Sequence, residues 1–234
     1  AGPLNRVVCS VDEKGRETIL GKHEGTTSAR FNTDFSYYIE VYSNATTPTQ
    51  YRVCKADGKR VRDLQLNTET AERFKDRIPM REFFTFTSDG YELNGYIIKP
   101  ANFDPTKRYP CIMSQYSGPG SQQVLNKWKA DWETWFAMQG YVICCVDGRG
   151  TGGRGKEFES LVYLNLGKYE VIDQIAAARY MGMQPYVDAK RIGIWGWSYG
   201  GYMTLMSMSQ RNSCYASGLS IAPVTSWRFY DTIY

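Results

Sequence analysis

Histidine is nearly absent from this chain, which holds His23 and no other among its 234 residues. Any reaction that needs an imidazole base must therefore use His23 or take its base from elsewhere. Paired cysteine motifs are absent too. The six cysteines (9, 54, 111, 144, 145 and 214) form no C-x-x-C and no metal-ligand spacing, so no metal and no cofactor is expected. Cys111, Cys144 and Cys145 fall in apolar runs, where a thiol behaves as a small buried hydrophobe; a Cys9–Cys54 disulfide stays open. No apolar stretch approaches the about 20 residues of a membrane span, and Ala1-Gly2-Pro3-Leu4-Asn5 has no signal-peptide character. A net charge of +4, with basic residues interleaved among acids, leaves no nucleic-acid footprint. The composition, 42% hydrophobic and 15% aromatic, suffices for one good-sized core or two modest ones.

Residues 4–66 read as short β-segments cut by turns. Arg6–Val11 and Glu17–Leu20 flank Asp12-Glu13-Lys14-Gly15. Tyr37–Tyr42 follows, then a hairpin of Tyr51–Lys55 and Val61–Leu66 around Ala56-Asp57-Gly58-Lys59. The segment has the size of one propeller blade, and the pattern occurs once. A lone blade leaves faces and edges open, so partner blades outside this sequence are expected. Residues 67–78 have mixed charge and helical propensity, placing a domain boundary at residue 70, between the blade-like segment 1–70 and an α/β domain at 71–234.

From Met80 the pattern changes. Glu82–Thr87 and Glu92–Lys99 alternate around Ser88-Asp89-Gly90 as an antiparallel hairpin. Apolar strands at Tyr109–Tyr116, Tyr141–Val146, Arg191–Trp197 and Ser217–Ala222 then alternate with helices at Asp131–Met138, Tyr169–Met181 and Tyr202–Met208. This order predicts a doubly wound, mostly parallel sheet with its active residues at the strands' carboxyl ends, where Tyr116, Asp147 and Ser198 fall. The glycine run Gly148-Arg149-Gly150-Thr151-Gly152-Gly153 matches neither nucleotide-binding fingerprint and reads as a loop needing close backbone approach.

The chemistry centres on Gly196-Trp197-Ser198-Tyr199-Gly200, a Gly-x-Ser-x-Gly between an apolar strand and an apolar helix. A serine at such a corner needs neighbours without a Cβ, and the helix that follows aims N–H groups at an oxygen that turns negative during acyl transfer. This stretch, with Tyr116-Ser117-Gly118-Pro119-Gly120-Ser121-Gln122, Asp147-Gly148-Arg149-Gly150 and Ala222-Pro223-Val224-Thr225-Ser226-Trp227-Arg228-Phe229-Tyr230-Asp231-Thr232-Ile233-Tyr234, resembles the prolyl oligopeptidase family of serine peptidases, in its dipeptidyl peptidase IV branch. The resemblance implies an α/β-hydrolase fold lacking its C-terminal end, preceded by the end of a propeller. It implies Ser198 as nucleophile, with the Tyr199 N–H and the Tyr116 hydroxyl as oxyanion donors. It also implies a small aromatic pocket for proline or alanine, lined by Tyr199, Val224, Trp227, Tyr230 and Tyr234. The i, i+3, i+7 spacing of Trp227, Tyr230 and Tyr234 fits one helical face.

One departure bears on activity. In this fold the triad runs Ser, Asp, His, whereas His23 precedes Ser198 and Asp231 is the only acid after it. Base and acid are therefore expected beyond residue 234, and the chain alone is expected to be inactive. The implied activity of the longer protein is release of N-terminal dipeptides with proline or alanine second, from peptides with a free N-terminus, by an extracytoplasmic homodimer. Rival readings are another peptidase of the family, a lipase or carboxylesterase, and a non-catalytic binding module.

Overall fold

The computed structural model describes residues 2–21 and 24–232. They divide into two compact units, Ala1–Met80 with Leu125–Asp131, and Arg81–Val124 with Trp132–Tyr234. The division thus follows Met80 rather than residue 70, and it is not contiguous.

In the first unit β1 (Val8–Val11) and β2 (Glu17–Leu20) pair as a separate antiparallel hairpin. A four-stranded antiparallel meander follows, of β3 (Thr26–Phe31), β4 (Tyr37–Asn44), β5 (Thr47–Lys55) and β6 (Arg60–Gln65), in that order. The blade expected from the sequence is this meander; the hairpin stands outside it, and β3 was not among the expected strands. Leu20, Tyr38 and Cys54 form its small core. Helix α1 (Thr68–Phe74) packs on β5, which carries the unit past residue 70. Residues 125–131 join because their backbone is bonded here: Thr26 Oγ1 donates to the Asn126 carbonyl (3.0 Å), Asn126 Oδ1 accepts from Ala45 N–H (2.9 Å), and Trp128 lies against Phe74.

The second unit is built on a six-stranded sheet. Its elements are β7 (Arg81–Ser88), β8 (Tyr91–Ile98), β9 (Tyr109–Ser114), α2 (Trp132–Met138), β10 (Val142–Asp147), α3 (Lys156–Glu159), α4 (Tyr169–Gly182), β11 (Val187–Trp197), α5 (Tyr199–Met208) and β12 (Ser217–Ile221). Strand order is β12-β11-β9-β10-β8-β7; the β7–β8 and β8–β10 pairs are antiparallel, and the β10–β9, β9–β11 and β11–β12 pairs are parallel. This is the α/β-hydrolase type of sheet. All six residues of β10, Val-Ile-Cys-Cys-Val-Asp, are buried, because this strand lies inside the sheet between β8 and β9, with α2 and α4 packed against it. Residues of α4 and α5, among them Ala178, Met181 and Met203, close one side over Met113, Cys144 and Ile194. Tyr180 of α4 stacks on Phe84 and Phe86 of β7.

All six cysteines are free; Cys9 is exposed on the hairpin while Cys54 is buried in the meander. No helix among the described residues is long and apolar enough to cross a membrane.

Candidate active site

Strand β11 ends at Trp197 and α5 begins at Tyr199, leaving Ser198 as the single residue of the corner. Its backbone sits at φ 57, ψ −119, which an L-residue occupies only at a cost of about 1–3 kcal/mol. Three contacts hold it there. Ser198 N–H donates to the Ile221 carbonyl at the end of β12 (2.9 Å). A Cβ on Gly196 would stand 2.5 Å from the Gly200 carbonyl oxygen, and one on Gly200 would stand 2.6 Å from the Gln115 carbonyl oxygen. Strand, helix and the loop after β9 therefore close on one another only through glycine. The helix starts at Tyr199 rather than at Tyr202, so the Tyr199 N–H lies at the positive end of the ten-residue α5.

Tyr116 lies just past the end of β9, half-buried, its ring 6.2 Å from that of Tyr199 and 6.0 Å from that of Trp197. Gln115 fixes this loop to the corner. Its Nε2 donates to the Gly200 carbonyl (2.7 Å) and to Thr204 Oγ1 (3.2 Å), and its Oε1 accepts from Ser117 Oγ (3.1 Å). Ser117 Oγ in turn accepts from Gln174 Nε2, which also donates to the Val146 carbonyl at 3.0 Å. One chain of amides and hydroxyls thus spans β9, β10, α4 and α5.

The rings of Tyr199, Trp227 and Tyr230 lie together. The Trp227 ring lies 5.4 Å from Tyr199 and 5.7 Å from Tyr230, with Tyr202 at 5.3 Å from Trp227. The helical face expected there is a correction. Trp227–Phe229 is one 3₁₀ turn, and Tyr230 leaves it extended at φ −102, ψ 177. A 3₁₀ turn also brings i and i+3 to one side, so the aromatics meet without an α-helix. Val224 is half-buried on the preceding loop, and Tyr234 lies outside the described residues. A cleft of about 840 Å³ opens beside Trp227, walled by Pro119, Glu159, Tyr163, Leu164 and Thr232.

Two acidic groups are structural rather than free. Asp147 is the last residue of β10 and accepts from Gln123 N–H (3.1 Å) and Val124 N–H (2.8 Å), shaping the loop after Tyr116. Asp173 of α4, fully buried, takes Arg149 through its backbone N–H (2.7 Å) and guanidinium (2.8 Å) and accepts from Ser88 Oγ (2.8 Å). The glycine run after β10 is wrapped on the Tyr116 loop, with Gly120 N–H on the Gly150 carbonyl and Gly152 N–H on the Ser121 carbonyl, both 2.9 Å.

Glu170, in the first turn of α4, was not singled out by the sequence reading. Its Oε1 accepts from the Tyr199 phenol at 2.6 Å and from Gly167 N–H at 3.1 Å. Burial pushes its carboxyl up, against these hydrogen bonds, which pull it down. A signal was available: Glu170, Asp173, Gln174, Ala177, Ala178 and Met181 share one helical face at i, i+3/i+4 spacing, which puts acids on the side facing the sheet. Among the described residues none is a histidine, since His23 lies outside them.

Residues 128–234 match the model of the prolyl oligopeptidase family. A protein of Trichophyton verrucosum described as a probable dipeptidyl-aminopeptidase B is 39% identical over 99% of this chain and 27% of its own. One of Uncinocarpus reesii with the same description is 47% identical over 73% and 19%. The crystal structure of dipeptidyl peptidase 4 from Porphyromonas gingivalis superposes with a TM-score of 0.93 at 50% identity, covering 99% of this chain and 33% of that one. The chain thus spans about a quarter of the length of the first of these curated relatives.

Proposed function

This chain belongs to the prolyl oligopeptidase family, and from that premise we propose that its protein is a serine exopeptidase that releases N-terminal dipeptides with proline or alanine second. The observation that carries the reading is the corner itself: Ser198 in a strained conformation at the head of α5, with Tyr199, Trp227 and Tyr230 grouped beside it. In the proposed step Ser198 Oγ forms a bond to the scissile carbonyl carbon and gives its proton to a general base. The carbonyl oxygen takes the negative charge, facing the Tyr199 N–H and the Tyr116 hydroxyl. The C–N bond then breaks, the amine leaves with a proton, and water hydrolyses the ester on Ser198. A flat proline ring or an alanine methyl would sit among the aromatic rings; peptides with a free N-terminus are the substrates.

The test is covalent. A fluorophosphonate reacts with an activated serine, so the full-length protein is expected to gain one adduct, mapped by mass spectrometry to Ser198. An adduct elsewhere, or none on a protein that cleaves Gly-Pro-anilide, sinks the assignment. Tyr116→Phe removes one oxyanion donor and keeps the ring. It is expected to lower kcat by about 10²–10³ while KM changes little. A kcat equal to that of the unsubstituted protein would take Tyr116 out of the oxyanion site.

A further inference from the structure

We propose that Glu170 is a positioning residue for the specificity pocket: it holds the Tyr199 phenol and thereby fixes the ring that Trp227 and Tyr116 pack against. This rests on the reading of Tyr199 as a wall of that pocket.

Glu170 is fully buried, and among the described residues its Oε2 has no hydrogen-bond partner, so only Oε1 is satisfied there. A half-satisfied buried carboxylate is costly to a fold, a cost that an apolar pair in place of both the carboxylate and its phenol partner would spare. What the carboxylate does provide is a short, charge-assisted acceptor at 2.6 Å for a phenol that is itself 1% exposed. Two features work against the burial that pushes this carboxyl up. Glu170 stands at the N-terminal end of the fourteen-residue α4, where the helix dipole favours an anion, and Gly167 N–H donates to the same Oε1.

The consequence lies at the other end of the tyrosine. With its hydroxyl committed to Glu170, the Tyr199 ring cannot swing about χ1 or slide along α5. That ring lies 5.4 Å from Trp227, 5.6 Å from Tyr202 and 6.2 Å from Tyr116. It is the element common to the pocket rings and the oxyanion tyrosine. Glu170 therefore acts on both through Tyr199, from a second helix, without touching substrate. A proline ring that fills the pocket should sense the position of this wall, whereas an alanine methyl leaves room and tolerates its displacement.

The experiment compares kcat/KM for Gly-Pro-anilide and Gly-Ala-anilide in the full-length protein. Glu170→Leu is expected to lower the Pro:Ala ratio about tenfold, the scale on which apolar pockets discriminate. Glu170→Gln, which keeps an oxygen acceptor for the phenol, is expected to restore the ratio to within about twofold of the unsubstituted protein. Loss of fold alone would lower both activities together and leave the ratio unmoved. If Glu170→Leu does not fold, Tyr199→Phe removes the donor of the same bond and is expected to give the same fall in ratio. An unchanged ratio in whichever of these two variants folds, with the unsubstituted protein active on both substrates, overturns the positioning role and leaves the proposed function standing. An unsubstituted protein that cleaves neither substrate overturns the proposed function, and the role of Glu170 with it.

Discussion

Ser198→Ala is expected to lower the turnover of Gly-Pro-anilide by about 10⁶, the loss seen when an acyl-transfer nucleophile is removed outright. The same variant should unfold at the temperature of the unsubstituted protein. The strain at Ser198 belongs to the backbone, at φ 57, ψ −119, and alanine inherits it unchanged. The corner is held by the Ser198 N–H to the Ile221 carbonyl and by the closeness of Gly196 and Gly200 to their neighbours, none of which involves the hydroxyl. Kinetics on purified protein, paired with a thermal melt, separates the two effects. Residual turnover within tenfold of the parent would remove Ser198 from the reaction, and a large fall in melting temperature would mean that the hydroxyl supports the fold.

Arg149→Met is expected to have the largest effect on stability. The Arg149–Asp173 pair is fork-like and almost wholly out of water, with Arg149 2% and Asp173 0% exposed. Removing one member of such a pair strands the other, at a typical cost of about 3–5 kcal/mol. For a unit of this size that is on the order of 10 °C in melting temperature. The guanidinium also lies over the rings of Tyr91 (5.1 Å) and Tyr169 (4.9 Å), so the loop after β10 and the start of α4 should loosen together. The second ion pair of Arg149, to Asp89, contributes little, because Asp89 is 60% exposed in its side chain. Arg149→Met combined with Asp173→Leu is expected to recover most of the loss, since two apolar residues leave no charge uncompensated. Calorimetry on the single and double variants checks both statements; a double variant no more stable than Arg149→Met would mean that the pair acts through something other than its charge.

The elbow was legible in the sequence because its constraints are local. An apolar strand, two glycines flanking a serine and an apolar helix are each visible within a dozen residues, and the steric need for Gly196 and Gly200 acts over that same span. Strand β3 was not legible. Its inward residues are Thr27 and Ala29, which carry almost no hydrophobic signal, so its Thr-Thr-Ser-Ala-Arg-Phe looks like a loop until β4 supplies the ladder. The turn at Trp227–Phe229 misled for a different reason, because α and 3₁₀ geometry share the i, i+3 neighbour and part only further along. Polar residues on buried helix faces were hardest to place. Glu170, Asp173 and Gln174 share one face of α4, and each is matched by a specific partner from another element: Tyr199, Arg149 and Ser117. Such partners lie far off in sequence, and nothing local announces them.

The distribution of free thiols has a use in following how this protein opens. Cys111, Cys144 and Cys145 lie wholly inside the large sheet, and burial pushes the Cys111 thiol up to about 12. A thiol so placed does not react with an aqueous alkylating reagent until its strands part. Cys54 sits in the same way inside the small meander, whereas Cys9 is exposed. Labelling is therefore expected to go to completion at Cys9 at once, to reach Cys54 at the opening rate of the first unit, and to strike the three sheet thiols as one event. Peptide mapping of a timed alkylation would then read two opening equilibria from one unmodified protein, with its own exposed cysteine as the zero of the clock.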